Sequence, residues 1–478
     1  MTNEILMKIK QIFLIVFFLT SISIPQKNVL PVKNEINLVL KDDFFNSASI
    51  SISVFDLTIQ KKIYEKNPAA LSRPASNLKI LTTLAGLFFL GADYNFTTAL
   101  YYTGSVETGT LDGDLYVVGG FDPLFSSEDL DTLLIGLKQA GINNITGNIY
   151  ADVSAKDSLF WGAGWMWDDD PTIDAPYLGS LNINKNSVKV AYKPGIIDSL
   201  IYAEIIPESD FTSFKNSAVT IAGDSSKIIV TRNWLTRGNE VKISGFLQYS
   251  AKPDTDEVNI YNPTGYFLSL LKSKLNENGI NFSGNIDTAS ITQPVYLIGL
   301  YKRPFKNILT KLERESDNLS AEMTLYALAY KYSGKPASAR NGIKLIDSLI
   351  TLTGLDPGHY RIVDGSGVSH YNLVSSELMV EVLKFIYYQK PELFKAFYDS
   401  LPVSGMSGTL EKRMTTGFVK GNIHAKTGTL SGVSCLSGYI DAKIGHKLAF
   451  SIMIQNYVTK ARVAQKFQDE ICKILSEY

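Results

Sequence analysis

Histidine and cysteine are scarce in this chain: four and two among 478 residues. His359, His370, His424 and His446 lack the spacing of a metal-ligand set. Cys435 and Cys472 make no C-x-x-C motif, which removes the usual zinc and redox readings. They can pair only if the last helix packs across a sheet, and two buried free thiols fit the sequence equally. No G-x-S-x-G elbow supports a Ser-His-Asp hydrolase. Charge of one sign is missing as well. The 46 Lys and Arg against 47 Asp and Glu leave a formal charge of −1, so there is no electrostatic case for nucleic acid. Internal repeats and low-complexity tracts are absent. With 45% hydrophobic and 19% charged residues the chain is globular in composition, and its length leaves room for two to four domains.

Long hydrophobic runs are limited to the N-terminus. Lys8 and Lys10 precede the apolar run Ile12–Leu19, then small and polar residues up to Pro25. A basic stub, a short apolar core and small residues predict a secretory signal over residues 1–25. The run is short for a membrane span, and no cysteine follows it to carry a lipid anchor. The mature protein is therefore expected to be exported, to the periplasm or cell envelope, with no firm membrane span.

Three short motifs occupy the remaining chain in order: Ser76-Asn77-Leu78-Lys79, Ser316-Asp317-Asn318 and Lys426-Thr427-Gly428. S-x-x-K recurs at Ser269-Leu270-Leu271-Lys272, and S-x-N recurs at Ser180-Leu181-Asn182 and Ser283-Gly284-Asn285, so context must separate site from coincidence. Ser76 follows Arg73-Pro74-Ala75 and opens an apolar helical pattern through Phe88, the mark of a helix N-terminus. Free backbone N–H groups there favour developing negative charge. Lys79 falls on the same helical face as Ser76. A lysine desolvated beside other cations can lose its proton and serve as a base.

Ser316-Asp317-Asn318 is a polar turn opening into a second apolar helix. Ser316 is expected within reach of Lys79 and a leaving amine as a proton shuttle, with Asn318 steadying the lysine and the substrate amide. Asp317 or Asn318 can also act as a helix cap. Lys426-Thr427-Gly428-Thr429 lies on a predicted strand from Asn422 to Leu430, followed by strands Gly432–Ile440 and Lys447–Gln455. Lys426, Thr427 and Thr429 offer a cationic, donor-rich seat for a carboxylate. Gly428 is expected to let a substrate backbone approach the strand edge. The backbone N–H groups of Ser76 and Thr429 are the expected oxyanion hole.

The rest of the pattern predicts a short helix at 34–41 and strands at 49–57 and 62–64. Between Ser76 and Ser316 it predicts a long stretch of short strands and turns. Helices follow at 319–332, 339–350, 375–388 and 391–400, and a last amphipathic helix at 460–476. The 240 residues that separate Ser76 from Ser316 read as an insertion into a catalytic domain whose sheet draws strands from both chain ends.

The trio in this order is the signature set of class A β-lactamases and penicillin-binding proteins. The chain resembles the class C low-molecular-mass penicillin-binding proteins, the D-alanyl-D-alanine carboxypeptidase/DD-endopeptidases. Beyond the motifs, the resemblance runs through Leu115–Pro123, Trp165-Met166-Trp167-Asp168-Asp169, Asp364–Ser369, Leu401–Gly405 and Gly421–Thr429. It implies an α/β (α+β) fold. A transpeptidase/β-lactamase-like domain, with an antiparallel sheet flanked by helices, would carry two inserted β-rich domains. The expected division is 26–95 with 300–478 for the catalytic domain, 96–180 with 255–299 for domain II, and 181–254 for domain III. The resemblance also implies cleavage of D-Ala-D-Ala termini and D-Ala–diaminopimelate cross-links in peptidoglycan stem peptides. β-Lactams would acylate Ser76 as covalent inhibitors, and no metal or organic cofactor is expected.

Two positions depart from the family pattern, and a third leaves its register open. Phe121 stands where glycine is usual before Asp122-Pro123, a segment read as a turn. Asp169 best fits the family aspartate that holds the diaminopimelate amine, but Asp168 and Asp170 are adjacent. His370 replaces a common arginine after Asp364–Ser369; it lacks the bidentate fork of arginine, so a weaker or altered side-chain preference is implied. Asp364 and Ser366 are read as turn builders without a catalytic role. The rival readings are a β-lactamase, disfavoured by the long insertion and the want of a deacylating glutamate motif, and a silent wall-binding scaffold, disfavoured by three intact motifs.

Overall fold

Strand Ser49–Asp56 and strands from the far end of the chain share one antiparallel sheet. The computed structural model describes residues 29–478, and the predicted signal segment lies outside the described residues. The sheet runs Ile423–Leu430, Val433–Asp441, Lys447–Gln455, Ser49–Asp56, Lys61–Lys66, every neighbour antiparallel. Lys447–Gln455 is covered on both faces, and its sequence Leu448-Ala449-Phe450-Ser451-Ile452-Met453-Ile454 is accordingly almost unbroken apolar. The K-T-G strand Ile423–Leu430 is the sheet edge, in register Lys426 to Ser437 and Gly428 to Cys435.

On one face lies the helical layer: Leu78–Ala85, Asn318–Ser333, Ala339–Leu352 and Ser376–Gln389. Helix Leu78–Ala85 is buried on all sides, which explains why its sequence is apolar around its whole circumference apart from Lys79, Thr82 and Thr83. On the other face lie Val29–Val39 and Ala461–Glu477. The first of these begins earlier than the hydrophobic pattern suggests. Cys435 belongs to the helical-layer core and Cys472 to the opposite one; both are buried free thiols with the sheet between them.

The interval between the first two motifs forms four further sheets among the described residues. It also contains helices Asp129–Gln139 and Pro263–Glu277, which the reading of a stretch rich in strands and turns does not name. The signal for the first was present: Leu130, Leu133, Leu134 and Leu137 recur at helical spacing and are all buried. The second starts with Asn262 accepting from the Gly265 N–H and Pro263 in the first turn. Helix Lys306–Arg314, ahead of the second motif, was likewise unread; its buried face is Ile308, Leu309, Leu312 and Glu313. The inserted strands and helices share a continuous apolar cluster from Leu100 to Ile280, separate from the two clusters around the first sheet. Asp122 is a turn builder, accepting from the Leu124 N–H and paired with Arg303. Among the described residues no helix is long and apolar enough to cross a membrane.

Candidate active site

Ser76 sits in a single 3-10 turn, Ala75–Asn77, just before helix Leu78–Ala85. Ala75 has φ +47°, a left-handed conformation that costs an L-residue about 1–2 kcal/mol. Two glycines clamp this turn. A Cβ on Gly428 would stand 2.6 Å from the Pro74 carbonyl oxygen and 3.0 Å from the Asn77 nitrogen; one on Gly367 would stand 1.9 Å from the Ala75 carbonyl oxygen. The missing Gly428 side chain thus makes room for the Ser76 turn, a reason for glycine that the sequence did not show. The Asn77 amide ties the same turn to the strand by donating to the Lys426 carbonyl at 2.9 Å.

Lys79 is fully buried. Its ammonium donates to Asn318 Oδ1 at 2.5 Å, to the Ser366 carbonyl at 2.7 Å and to Ser76 Oγ at 3.0 Å. The Ser366 carbonyl is held in place by two buried acids. Glu322 accepts the Gly365 and Ser366 N–H groups. Asp364 accepts from the Gly367 and Ser369 N–H groups, the Asn372 amide and Trp165 Nε1. Asp364 and Ser366 thus build the turn, as the sequence suggested, and the turn presents a backbone acceptor to Lys79. Burial drives the Lys79 pKa down to about 8, against the pull of Asp364, Glu313, Glu322 and Asp317.

Ser316 has φ +64° and precedes helix Asn318–Ser333, whose cap is Asp317, accepting from the Ser320 N–H. Ser316 Oγ accepts from Lys426 Nζ at 2.9 Å. Its lysine partner is therefore Lys426, where the sequence suggested Lys79. Asn318 spans the gap between cleft walls: Oδ1 meets Lys79, and Nδ2 donates to the Asp174 carbonyl at 2.5 Å. Lys426 is fully buried and also donates to the Thr427 carbonyl. Burial and the neighbouring Lys79 charge lower its pKa to about 7.

A cleft of about 440 Å³ joins these segments. Ser76, Ser316, Asn318, Thr427, Gly428 and Thr429 line it from one side, and Asp168, Asp169 and Thr172 from the loop opposite. Neither lysine lines it; each stands behind a serine hydroxyl, Lys79 behind Ser76 and Lys426 behind Ser316. The Thr427 hydroxyl donates to Thr409 Oγ1 at 2.7 Å, and Thr409 lines the cleft too. Thr409 escaped the sequence reading because it belongs to no motif.

The three adjacent aspartates separate cleanly. Asp170 is committed to Arg232 at 2.5 Å and to the Tyr177 hydroxyl, both buried. Asp168 and Asp169 face the cleft; Asp169 Oδ2 accepts the Met166 N–H at 2.7 Å, and burial raises its pKa. His370 is half-buried and flanks the cleft without lining it, near enough for its charge to act on Asp169. The second S-x-x-K lies on helix Pro263–Glu277, far from these groups in the fold, with Lys272 exposed.

Sequence and structure comparisons place nearly the whole chain in a family. The model of the D-Ala-D-Ala carboxypeptidase 3 (S13) family matches residues 32–478. D-alanyl-D-alanine carboxypeptidase DacB of Haemophilus influenzae is 29% identical over 405 residues, 83% of this chain and 83% of that one. D-alanyl-D-alanine carboxypeptidase of an Actinomadura species is 28% identical over 462 residues, 93% and 84% of the two chains. The crystal structure of penicillin binding protein 4 (dacB) from Haemophilus influenzae superposes with a TM-score of 0.81 at 25% identity, covering 93% of this chain and 99% of that one. With the family model matching nearly the whole described chain, this protein belongs to the D-Ala-D-Ala carboxypeptidase 3 (S13) family and is a serine peptidase.

Proposed function

We propose that the enzyme hydrolyses D-Ala-D-Ala termini and D-Ala–diaminopimelate cross-links of peptidoglycan stem peptides through an acyl-enzyme on Ser76. The observation that carries this reading is the coordination of Lys79. The Asn318 Oδ1 and Ser366 carbonyl oxygens are acceptors only, so they take two N–H bonds. A neutral amine then has its lone pair left for the third direction, toward the Ser76 hydroxyl at 3.0 Å.

Lys79 takes the Ser76 proton as Oγ attacks the carbonyl of the penultimate D-Ala. The oxyanion is received by the backbone N–H groups of Ser76 and Thr429. The C–N bond breaks as Ser316 gives its proton to the leaving amine and is reprotonated from Lys426. Lys79 then releases the proton it took and Lys426 regains one, by way of water in the cleft. Water attacks the ester, Lys79 takes a proton from it, and that proton passes to Ser76 Oγ as the C–O bond breaks. The terminal carboxylate is seated on the Thr427, Thr429 and Thr409 hydroxyls, with the Lys426 charge behind them. Asp169 receives a free amine on the substrate side chain, with His370 flanking it. β-Lactams enter the same path and acylate Ser76. The enzyme works in the periplasm or cell envelope after export. Its catalytic domain, 26–95 with 300–478, carries two inserts, 96–180 with 255–299 and 181–254. The separate apolar cluster of the inserted region supports the boundary between the catalytic domain and the inserts, and it runs through both inserts.

A fluorescent penicillin is expected to label the wild type covalently and to leave Ser76→Ala unlabelled. Purified cross-linked muropeptides should lose D-Ala and cross-links on digestion, read by mass spectrometry. Persistent labelling of Ser76→Ala refutes the assignment of the nucleophile.

A further inference from the structure

The loop opposite Ser76 reaches Lys79 through the Asp174 carbonyl, and an asparagine of the inserted region holds that loop from behind. Asn318 Nδ2 donates to the Asp174 carbonyl at 2.5 Å, while Asn318 Oδ1 accepts from Lys79. A carbonyl only accepts and an ammonium only donates, so these two partners admit one orientation of the Asn318 amide. Asn259 ends strand Asp254–Asn259 and is fully buried. Its backbone N–H donates to the Pro171 carbonyl at 3.1 Å, and its Nδ2 donates to the Ala175 carbonyl at 2.8 Å. Asp174 lies between those two anchored carbonyls, one residue before the second. Arg232 Nε donates to the Asn259 backbone and side-chain oxygens, each at 3.0 Å, which fixes the Asn259 amide in the same way. Arg232, Asn259 and Ala175 are all buried, so a bond lost among them is not made good by water.

We propose that Asn259 is a positioning residue for acylation: it holds the segment 171–175 so that the Asp174 carbonyl keeps the Asn318 oxygen turned toward Lys79. This rests on the function proposed above, in which Lys79 is the base. With Oδ1 facing it, Lys79 spends an N–H on Asn318 and keeps its lone pair for the Ser76 hydroxyl at 3.0 Å. Once the Asp174 carbonyl withdraws, nothing on that side holds Nδ2, and the amide is free to turn its N–H groups toward Lys79. A neutral Lys79 then accepts one of them with the lone pair that Ser76 needs. Asn259 does not line the cleft. It acts on the reaction by settling which atom of Asn318 the lysine meets.

The test is the rate of acylation by a fluorescent penicillin in a double-mutant cycle of Asn259→Asp and Asn318→Ala. Asn259→Asp keeps the shape and an oxygen for Arg232, but it sets a second oxygen against the Ala175 carbonyl, so the segment must move. A misplacement of about 1 Å costs about 10²-fold in rate, and the expected loss for Asn259→Asp is about tenfold to 10²-fold. In the Asn318→Ala background no amide is left to turn, and the same change should cost less than about threefold. A purely structural role for Asn259 would slow both backgrounds alike. Asn259→Ser, too short to reach Ala175, should act in the same direction, and it serves if Asn259→Asp shows no cooperative thermal unfolding. An equal loss in the two backgrounds, or a full acylation rate in both Asn259 variants, overturns the proposal. A wild type that takes no label sinks the proposed function instead.

Discussion

Ser76-x-x-Lys79 and Ser269-x-x-Lys272 are the same four-residue pattern in two regions of one molecule. In both, helical geometry sets serine and lysine on a common face. In the insert that face meets solvent, and Lys272 is exposed. The Ser269 carbonyl simply accepts from the Ser273 hydroxyl one turn on, as in any helix. At Ser76 three walls close on the pair: the Asn318 amide, the Ser366 carbonyl and the edge strand Ile423–Leu430. Desolvation by those walls, and not the motif, lowers the Lys79 pKa and suits it to the role of base in the function proposed above.

The comparison breaks most decisively at the lysines. Lys79→Ala removes the proposed base and leaves Asn318 Oδ1 and the Ser366 carbonyl without their donor. Acylation by penicillin is expected to fall about 10³-fold or more, measured as the rate of covalent labelling. Lys272→Ala should leave that rate unchanged, and an equal loss in both variants would erase the distinction drawn between the two regions.

Next in size is the wall itself. Gly428→Ala puts a methyl 2.6 Å from the Pro74 carbonyl oxygen, so the edge strand and the Ser76 turn must separate. A shift of about 1 Å in a reacting group costs about 10²-fold in rate, and that is the expected loss in labelling. Normal labelling of Gly428→Ala would show that the strand can retreat without moving Ser76.

How much of this was legible follows from the kind of signal each part leaves. The first sheet and the helical layer were read nearly to the residue because apolar periodicity and the three motifs mark them; Lys447–Gln455 and 391–400 matched at both ends. Helices Asp129–Gln139 and Pro263–Glu277 were lost among strands, although leucines at helical spacing announced the first. Ser76, Lys79, Ser316, Asn318 and Lys426 were named in advance, and the fold gathers them. Their pairing was not legible: that Ser316 meets Lys426 depends on which strand forms the sheet edge. Glu313 and Glu322 left no local trace. Each is one acid in a helical pattern, and only tertiary packing buries it, Glu313 against Thr83 and Glu322 against the turn at Gly365 and Ser366.

A smaller effect sharpens the comparison through pH. In the proposed mechanism Lys79 acts deprotonated and Lys426 protonated, so acylation should rise with pH until about 8, where burial has brought Lys79. For Lys426 the same reasoning makes the rate fall once the pH passes about 7. The overlapping limbs give a narrow maximum between these values, with about a tenfold loss for each unit beyond either limb. Labelling rates taken across this range test it. Lys272 is exposed and does not line the cleft, so Lys272→Ala should retain the same maximum. A plateau that extends well above pH 9 would mean that Lys426 is not the second titrating group.

The smallest expected effect separates neighbours. Asp169 faces the cleft and keeps Oδ2 on the Met166 N–H, whereas Asp170 is spent on the buried Arg232. Asp169→Asn should therefore slow cleavage of peptides with a free side-chain amine by less than about tenfold, the worth of one partly solvated charge pair, and leave penicillin labelling untouched. Asp170→Asn strands a guanidinium in the core, a change that costs about 3–5 kcal/mol when a buried pair is broken, and should appear as a lowered Tm. Two adjacent carboxylates thus report on different properties, substrate choice and fold stability. Finding that Asp169→Asn lowers the Tm as far as Asp170→Asn, with no change in preference among peptides, would return Asp169 to the role of a turn residue.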